Sequence, residues 1–379
     1  MNSKKKIRIN ILSPGRFHVC DLARELDKNG FDVKFYSFVP TKRAISFGLP
    51  KRCSVSLVVL LSPFLFLSKV ILKGRRWPQI LLKIIQDVLT ELLMRRCDVC
   101  IAMSGSFLYA PRHAKKQGAL IIFERGSKHI LEQRRVLESI PALKGTKPIP
   151  DINVMRELAC YSFADYIAIS TQHVRDSFLL HDYPAEKLFI NPYGVDLSMF
   201  KPMPEVKKEY DVLMVGGWSY RKGCDLIIEA IRKTELRFLH VGGIVDLPFP
   251  SDDPLFTHVN PVEQRQLIWY YNKSRVFVIP SREEGLAMVQ MQAIACNLPL
   301  VGSRDSGAVD LKAMVEKPEY VTIINDYTGE AVAAALRSAL RSYATLTTPY
   351  AGKAIENLTW EAYGRRYASF LHKVCGSNS

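Results

Sequence analysis

No uninterrupted apolar run in this chain is long enough to span a bilayer. The apolar stretch that follows the N-terminal lysines is broken by Arg8 and Asn10 and is too short for a signal sequence. A soluble or peripheral chain in the cytoplasm is expected. No Asp-x-Asp pair occurs, so a metal-bridged diphosphate has no support, and neither a metal nor a cofactor is expected. The dinucleotide fingerprint GxGxxG is missing, which weakens an NAD reading. Cysteine is sparse. Of eight thiols only Cys97 and Cys100 form a CxxC, with no second pair nearby. Buried thiols in a reducing compartment fit this better than a disulfide scaffold or a zinc site. The histidines show no metal spacing.

Acidic residues are the scarcer charge, 37 against 52 Lys and Arg, which leaves a net charge of +15. An anionic partner is therefore expected: nucleic acid, anionic lipid or a phosphate-bearing substrate. Nucleic acid is set aside, because no recognisable module interleaves aromatics with the basic residues.

What is present is a repeated alternation of strand and helix signals. With 379 residues, two domains of similar size are expected. In the first half, strands are predicted at 7–12, 31–38, 55–61, 98–104, 119–124, 166–170 and 187–192. A helix is predicted at 18–30, and 63–96 reads as helical with a break near Pro78. The second half repeats the pattern, with strands at 210–217, 236–243, 256–259, 275–281, 298–303 and 320–325. Its helices are predicted at 225–233, 262–274, 287–296, 328–343 and 360–375. The stretch 191–211, rich in Pro and polar residues, reads as a hinge linker. Alternation of this kind implies parallel sheets with right-handed crossovers. Two doubly wound sheets facing each other bind ligands at their carboxyl-end loops.

Four of those loops carry unusual residues. In VGGWSYRKG, Gly216 and Gly217 let a ligand approach the backbone, while Arg221 and Lys222 sit where a helix begins. The loop is either a diphosphate cradle or an ordinary glycine turn with solvated cations. SPGRFH offers Gly15 and Arg16 in the same position after the first strand. FERGSKH crowds Glu124, Arg125, Gly126, Ser127 and His129 into one loop, either a cleft wall or a solvated turn. In PSREEGLA, Glu284 can accept from two sugar hydroxyls at once, and the amides of Gly285, Leu286 and Ala287 are expected to open a helix and suit a phosphate. Gln292 lies two turns further on the same helix. Val259, at the end of FTHV, is a candidate for facing a nucleotide base.

Four separated stretches together resemble one family. They are NPYGVDLSMF, VGGWSYRKG, PSREEG with QAIACNLPLV, and the terminal WEAYGRRYASFL. The chain looks like a family 4 retaining glycosyltransferase with the GT-B fold. The resemblance spans nearly all the second half and the junction; the first half matches mainly in pattern. It implies a Rossmann-like domain over 1–192, a donor-binding Rossmann-like domain over 193–358, and a final helix over 359–379 that crosses back to the first domain. It implies that Lys222 holds the donor diphosphate and Glu284 the transferred sugar. Gly15 would approach donor and acceptor, and His129 or its neighbours would contact the sugar from the other domain. Two positions depart from the family pattern. Gln292 stands where a second glutamate usually holds the ribose, a difference of about 1 kcal/mol of binding. Gly217 stands where an arginine is usual, and Arg221 would supply that charge instead.

The expected substrates are a nucleotide sugar, UDP-linked hexose or N-acetylhexosamine first and GDP-mannose second. The expected acceptor is a glycan, free or linked to polyprenyl diphosphate, in surface polysaccharide (lipopolysaccharide or capsule) synthesis. No pair of carboxylates suggests a covalent intermediate. The expected mechanism is front-face displacement, in which the leaving phosphate held by Lys222 helps deprotonate the acceptor. A catalytically silent relative acting as a scaffold is the alternative. The segment 62–96 is apolar and carries Lys69, Lys73, Arg75, Arg76, Lys83, Arg95 and Arg96, opposed only by Asp87 and Glu91. It reads either as a contact with the anionic inner face of the plasma membrane or as core helices with a basic outer face.

Overall fold

The computed structural model describes residues 6–70 and 77–376. Its strands form two wholly parallel sheets. The first contains β1 (Arg8–Ser13), β2 (Asp32–Ser37), β3 (Ser54–Ser56), β4 (Val99–Met103), β5 (Leu120–Arg125), β6 (Tyr166–Ile169) and β7 (Leu188–Ile190), in the order β3-β2-β1-β4-β5-β6-β7. The second contains β8 (Tyr210–Val215), β9 (Phe238–Val241), β10 (Phe256–Val259), β11 (Ser274–Ile279), β12 (Leu300–Ser303) and β13 (Val321–Ile324), in the order β10-β9-β8-β11-β12-β13. Strand order reverses between β1 and β4 and again between β8 and β11. Those reversals open a crevice above the strand ends, where loops are free to take a ligand.

The strand interiors are continuous apolar runs because helices cover both faces. Ile9, Ile11, Val99 and Ile101 are fully buried in one sheet, as are Leu213, Phe277, Ile279 and Leu300 in the other. The helix Trp360–Gly376 packs against the first half although it follows the second in sequence. Tyr367 Oη donates to Glu124 Oε1 at 2.8 Å, and Phe370 stacks on Phe189 with centroids 4.0 Å apart. Val195 bridges to Thr359, where the two crossing segments meet. Gly194 is required there, since a Cβ would lie 2.4 Å from the Trp360 nitrogen.

The expected strand at 55–61 is corrected. Pairing stops at Ser56, and a helix, Val58–Val70, follows. Leu57 and Leu61 are buried while Val59 and Leu60 are exposed, a spacing of four that belongs to a helix. An unbroken apolar run does not tell the two apart. Pro78 is the second residue of the next helix, Trp77–Leu93, where the missing amide costs nothing. The 262–274 helix is shorter than expected: a 3-10 turn, Gln264–Gln266, precedes Leu267–Asn272.

Among the described side chains, the basic residues of 62–96 do not share one face. The side chains of Lys69, Lys73, Arg75 and Arg76 lie outside the described residues. Arg95 turns inward, pairing with Asp32 at 2.7 Å and reaching Asn10. Asp87 is not a surface acid opposing the lysines. It is fully buried, accepts from the backbone amides of Leu108, Tyr109 and Ala110, and pairs with the equally buried Arg156 at 2.8 Å. It thereby fixes the start of the helix Tyr109–Lys116. Removing the carboxylate strands both the guanidinium and the amides. Asp87→Ala is expected to cost about 3–5 kcal/mol in urea denaturation; a loss under about 1 kcal/mol would show that this cluster is not a structural anchor.

Candidate active site

The loop after β8 begins with Gly216, whose φ of +136° is open to glycine and hostile to other residues. It ends with Gly223 at φ +72°, where a Cβ would sit 2.3 Å from the Pro280 oxygen. That contact lays the 216–223 loop directly on the loop after β11. Arg282 completes the join, forming two bonds to Asp225 at 2.6 and 2.7 Å and one to the Tyr220 oxygen. The consequence is that Lys222 and Glu284 meet: Lys222 Nζ bonds to Glu284 Oε2, and Arg221 Nη1 lies 3.6 Å from the same oxygen. Burial first and repulsion from Arg221 second pull the Lys222 ammonium down to about 7, against the attraction of Glu283.

Glu283, to which the sequence assigns no role of its own, is the centre of the junction between the halves. It is fully buried. From the first half it accepts the Lys128 amide at 3.2 Å and Gln133 Nε2 at 3.0 Å. From its own half it pairs with Arg221 at 3.3 Å. Burial pushes its carboxyl up, but Arg221, Gln133 and Arg125 outweigh burial and hold it below the usual range. Lys128 reaches across to Asp305 as well. The local signal for these partners is no more than polarity in an otherwise apolar neighbourhood; their pairing spans more than a hundred residues.

The loop after β5 is brought to the junction, but not every side chain faces the cleft. Gly126 meets Gly285 so closely that a Cβ on Gly285 would lie 2.0 Å from the Gly126 oxygen. Ser127 is half-buried beside it. Arg125 is buried and pairs with Glu157 at 2.7 Å. Glu124 turns into the first half, bonded to His18 at 2.9 Å and to Tyr367. His129 does not reach the Lys222–Glu284 pair. It precedes the helix Ile130–Glu138, accepts the Leu131 amide at Nδ1, and is buried with its ring stacked on His181 and edged by Phe178. Burial, then His181 and Arg125, pull its imidazole down to about 3, so it is neutral. The catalytic place expected for His129 is corrected accordingly. A histidine in a cleft loop gives no sequence signal of which way it points.

Gly285, Leu286 and Ala287 precede the helix Met288–Ala295 instead of opening it. The Leu286 amide is already taken, donating to Ser170 Oγ at 3.2 Å. Gln292 is buried at the bottom of a cavity of about 730 Å³, with Oε1 accepting from Tyr271 Oη at 2.9 Å. Arg16, Lys42 and Arg43 from the first half and Val262, Arg265 and Met288 from the second line the same cavity. Arg16 lies flat on Phe47, its guanidinium carbon 3.6 Å from the ring centroid. Gly15 lies beside it, close to Phe17. Val259 ends β10, next to the segment that supplies Val262. Gly217 faces Val245, whose methyl group leaves 3.0 Å to a Cβ.

A second cavity, of about 720 Å³, adjoins the Glu283 junction, where Gln133 and Arg221 line it. Its walls are Ile130, Leu137 and Ile149 from the first half, with Lys83 and Arg125, and Arg221 and Asp246 from the second. The stretch between 130 and 157 that builds it shows no clear element signal in sequence. It holds Ile130–Glu138 and the beginning of a further helix, Asp151–Phe163.

Two doubly wound parallel domains meeting at their strand-end loops, with a last helix crossing back, define the GT-B class. The fold matches sucrose-phosphate synthase from Thermosynechococcus elongatus with a TM-score of 0.73 at 14% identity, over 98% of this chain and 100% of that one. It matches Anabaena HepE in complex with UDP-glucose with a TM-score of 0.69 at 12% identity, over 97% and 100%. Residues 209–342 match the family model of the glycosyl transferases group 1. A D-inositol 3-phosphate glycosyltransferase of Kineococcus radiotolerans is 25% identical over 56% of this chain and 57% of its own length. A GDP-mannose-dependent alpha-(1-6)-phosphatidylinositol monomannoside mannosyltransferase of Mycolicibacterium smegmatis is 25% identical over 55% and 62%. The chain thus spans little more than half the length of these curated relatives.

The Gly126–Gly285 contact leaves no room for a methyl group. Gly285→Ala is expected to destabilise the protein by about 1–3 kcal/mol by forcing the two loops apart, read as a lowered urea midpoint. An unchanged midpoint would mean that the halves do not touch at this point in solution.

Proposed function

We propose that the protein is a metal-independent, retaining glycosyltransferase that takes a hexose or N-acetylhexosamine from a nucleotide sugar. The observation that carries this reading is the meeting of Lys222, Arg221 and Glu284, beside a cavity that Arg221 lines. A diphosphate carries the charge needed to separate Lys222 from Glu284. The ammonium then holds the phosphates, and the released carboxylate accepts from the sugar hydroxyls. Gln292 and the cationic rim of Arg16, Lys42, Arg43 and Arg265 suit the nucleoside end. The sugar would lie at the Glu284 end, facing the second cavity, where the acceptor enters. Charge developing on the leaving phosphate meets Lys222 and Arg221 in a water-poor setting, where such stabilisation is largest. The phosphate oxygen then takes the acceptor proton as the new bond forms on the same face.

UDP-glucose, with which Anabaena HepE forms a complex, is the first donor to test, and GDP-mannose, on which the Mycolicibacterium mannosyltransferase depends, is the second. The acceptor is proposed to be a glycan or a lipid-linked glycan of a bacterial surface polysaccharide. No helix among the described residues is long and apolar enough to cross a membrane. The helices Val58–Val70 and Trp77–Leu93 nevertheless expose Val59, Leu60, Phe64, Leu81 and Leu92. We propose that this apolar face rests on the bilayer that carries the acceptor. Flotation with liposomes should recover the wild type, and Leu60→Asp/Leu92→Asp should lose most of that binding; equal recovery would remove the membrane from the proposal.

The depressed Lys222 ammonium gives the donor reading a pH signature. The charged form, which binds diphosphate, prevails below about pH 7 and is lost above it. Affinity for UDP-glucose, whose diphosphate keeps its charge across this range, should fall toward about tenfold per pH unit once pH exceeds 7. Lys222→Ala should abolish that slope and lower transfer by about 10²–10³-fold. Transfer near the wild-type rate in this variant would refute the assignment.

A further inference from the structure

Several buried cations around the junction come with carboxylates: Arg125 with Glu157, Arg156 with Asp87, Lys128 with Asp305 and Lys222 with Glu284. Lys83 is the exception on the wall of the second cavity. It is half-buried, and among the described residues it has no ion-pair partner. Its Nζ meets only Asn153 Oδ1, at 3.4 Å. Burial lowers its ammonium from the usual range. Glu157 attracts it from beyond ion-pair distance and Arg156 repels it, and a partly desolvated charge with no counter-ion in contact is a cost the fold does not fully recover by itself.

The rest of the cavity is not free to serve Lys83. Glu157 is held by Arg125 and by the Ser104 hydroxyl. Asp246 accepts the Tyr220 amide at 3.0 Å. Arg221 is engaged with Glu283 and Glu284. The remaining surface mixes polar residues, among them Gln133, Thr146 and Asn153, with an apolar wall built from Ile130, Leu137, Leu143 and Ile149. Lys83 stands on the helix Trp77–Leu93, two residues from the exposed Leu81. Two residues turn a helix by more than half a circle, so Leu81 faces outward while Lys83 faces the cavity.

We propose that Lys83 anchors a phosphate carried by the acceptor, and that the acceptor's apolar portion lies on the Ile130–Leu137–Leu143–Ile149 wall. The ligand class is an amphiphilic phosphate ester, as on a prenyl chain. This rests on the glycosyltransferase reading for the word acceptor, but the site itself is independent of the donor. The helix Trp77–Leu93 then has two roles: its outer face meets the lipid surface, and its inner face receives the charged end of a lipid drawn from that surface.

Binding of farnesyl phosphate to the full chain tests this, with farnesol and glucose 6-phosphate as the apolar and the anionic half-ligands. Farnesyl phosphate should bind the wild type at least tenfold more tightly than either. Lys83→Met should weaken it at least tenfold, and Lys83→Arg should stay within about threefold of wild type. Lys222→Ala, which removes the donor cation, should leave it unchanged. The proposal falls if Lys83→Met binds as the wild type does, if farnesol or glucose 6-phosphate binds equally well, or if Lys222→Ala weakens binding as much as Lys83→Met. UDP-glucose binding, measured separately, reports on the donor reading alone, so loss of one reading does not imply loss of the other.

Discussion

The carboxylate of Glu283 is the constraint on which the rest of the site depends. It is fully out of water and shared between the halves: the Lys128 amide and Gln133 hold it from one side, Arg221 from the other. A buried carboxylate left with any of these missing would be costly, so the donors fix where the two strand-end loops sit relative to each other. Once Glu283 points into the junction, the next residue, Glu284, must leave on a different course. It finds Lys222, delivered by a loop that Gly223 and Arg282 press against the same segment. The geometry proposed for donor binding is thus a consequence of a structural pair one residue away.

Much of this architecture was legible in the sequence. Parallel strands read as apolar runs between helices, and those runs fell where the strands are, because burial on both faces leaves little room for polar residues. The loops with Lys222 and Glu284 were legible for a related reason. Gly223 and Gly285 occur where backbone must approach backbone, and Gly216 where φ is strongly positive, and glycine at such points is visible in the text. The failures are equally physical. Residues 55–61 are largely apolar, so their period could not show that only Leu57 and Leu61 face inward. His129 lay in the right loop but pointed the wrong way, a matter of side-chain direction decided by His181 and Phe178 far along the chain. Lys83 looked like one more member of a basic surface, and only the packing of its helix reveals that it faces a cavity.

The charge balance of the cleft takes on a different meaning with the pairs in place. The excess of basic residues in the whole chain does not describe the site, because most of its buried cations are neutralised by a named carboxylate. What distinguishes the site is that one neutralisation is exchangeable. Lys222 and Glu284 satisfy each other, while burial and Arg221 depress the Lys222 ammonium to about 7. A diphosphate offers the ammonium a stronger partner, and sugar hydroxyls offer the carboxylate replacement donors. The exchange conserves the number of satisfied charges, which is why a donor can enter without stranding either group.

The two cavities each have their own chemistry. One is rimmed by Arg16, Lys42, Arg43 and Arg265 around Gln292 and is open to a polar, anionic nucleotide. The other combines an apolar wall with the ammonium of Lys83, which no carboxylate pairs among the described residues. In the proposed reaction the transferred group passes between them at the Lys222–Glu284 contact, where each partner can exchange onto a group of the donor. Glu283 cannot move, since its donors come from both halves. The proposed reacting centre is therefore confined to one side of that carboxylate by electrostatics, before any question of which sugar or which acceptor is asked.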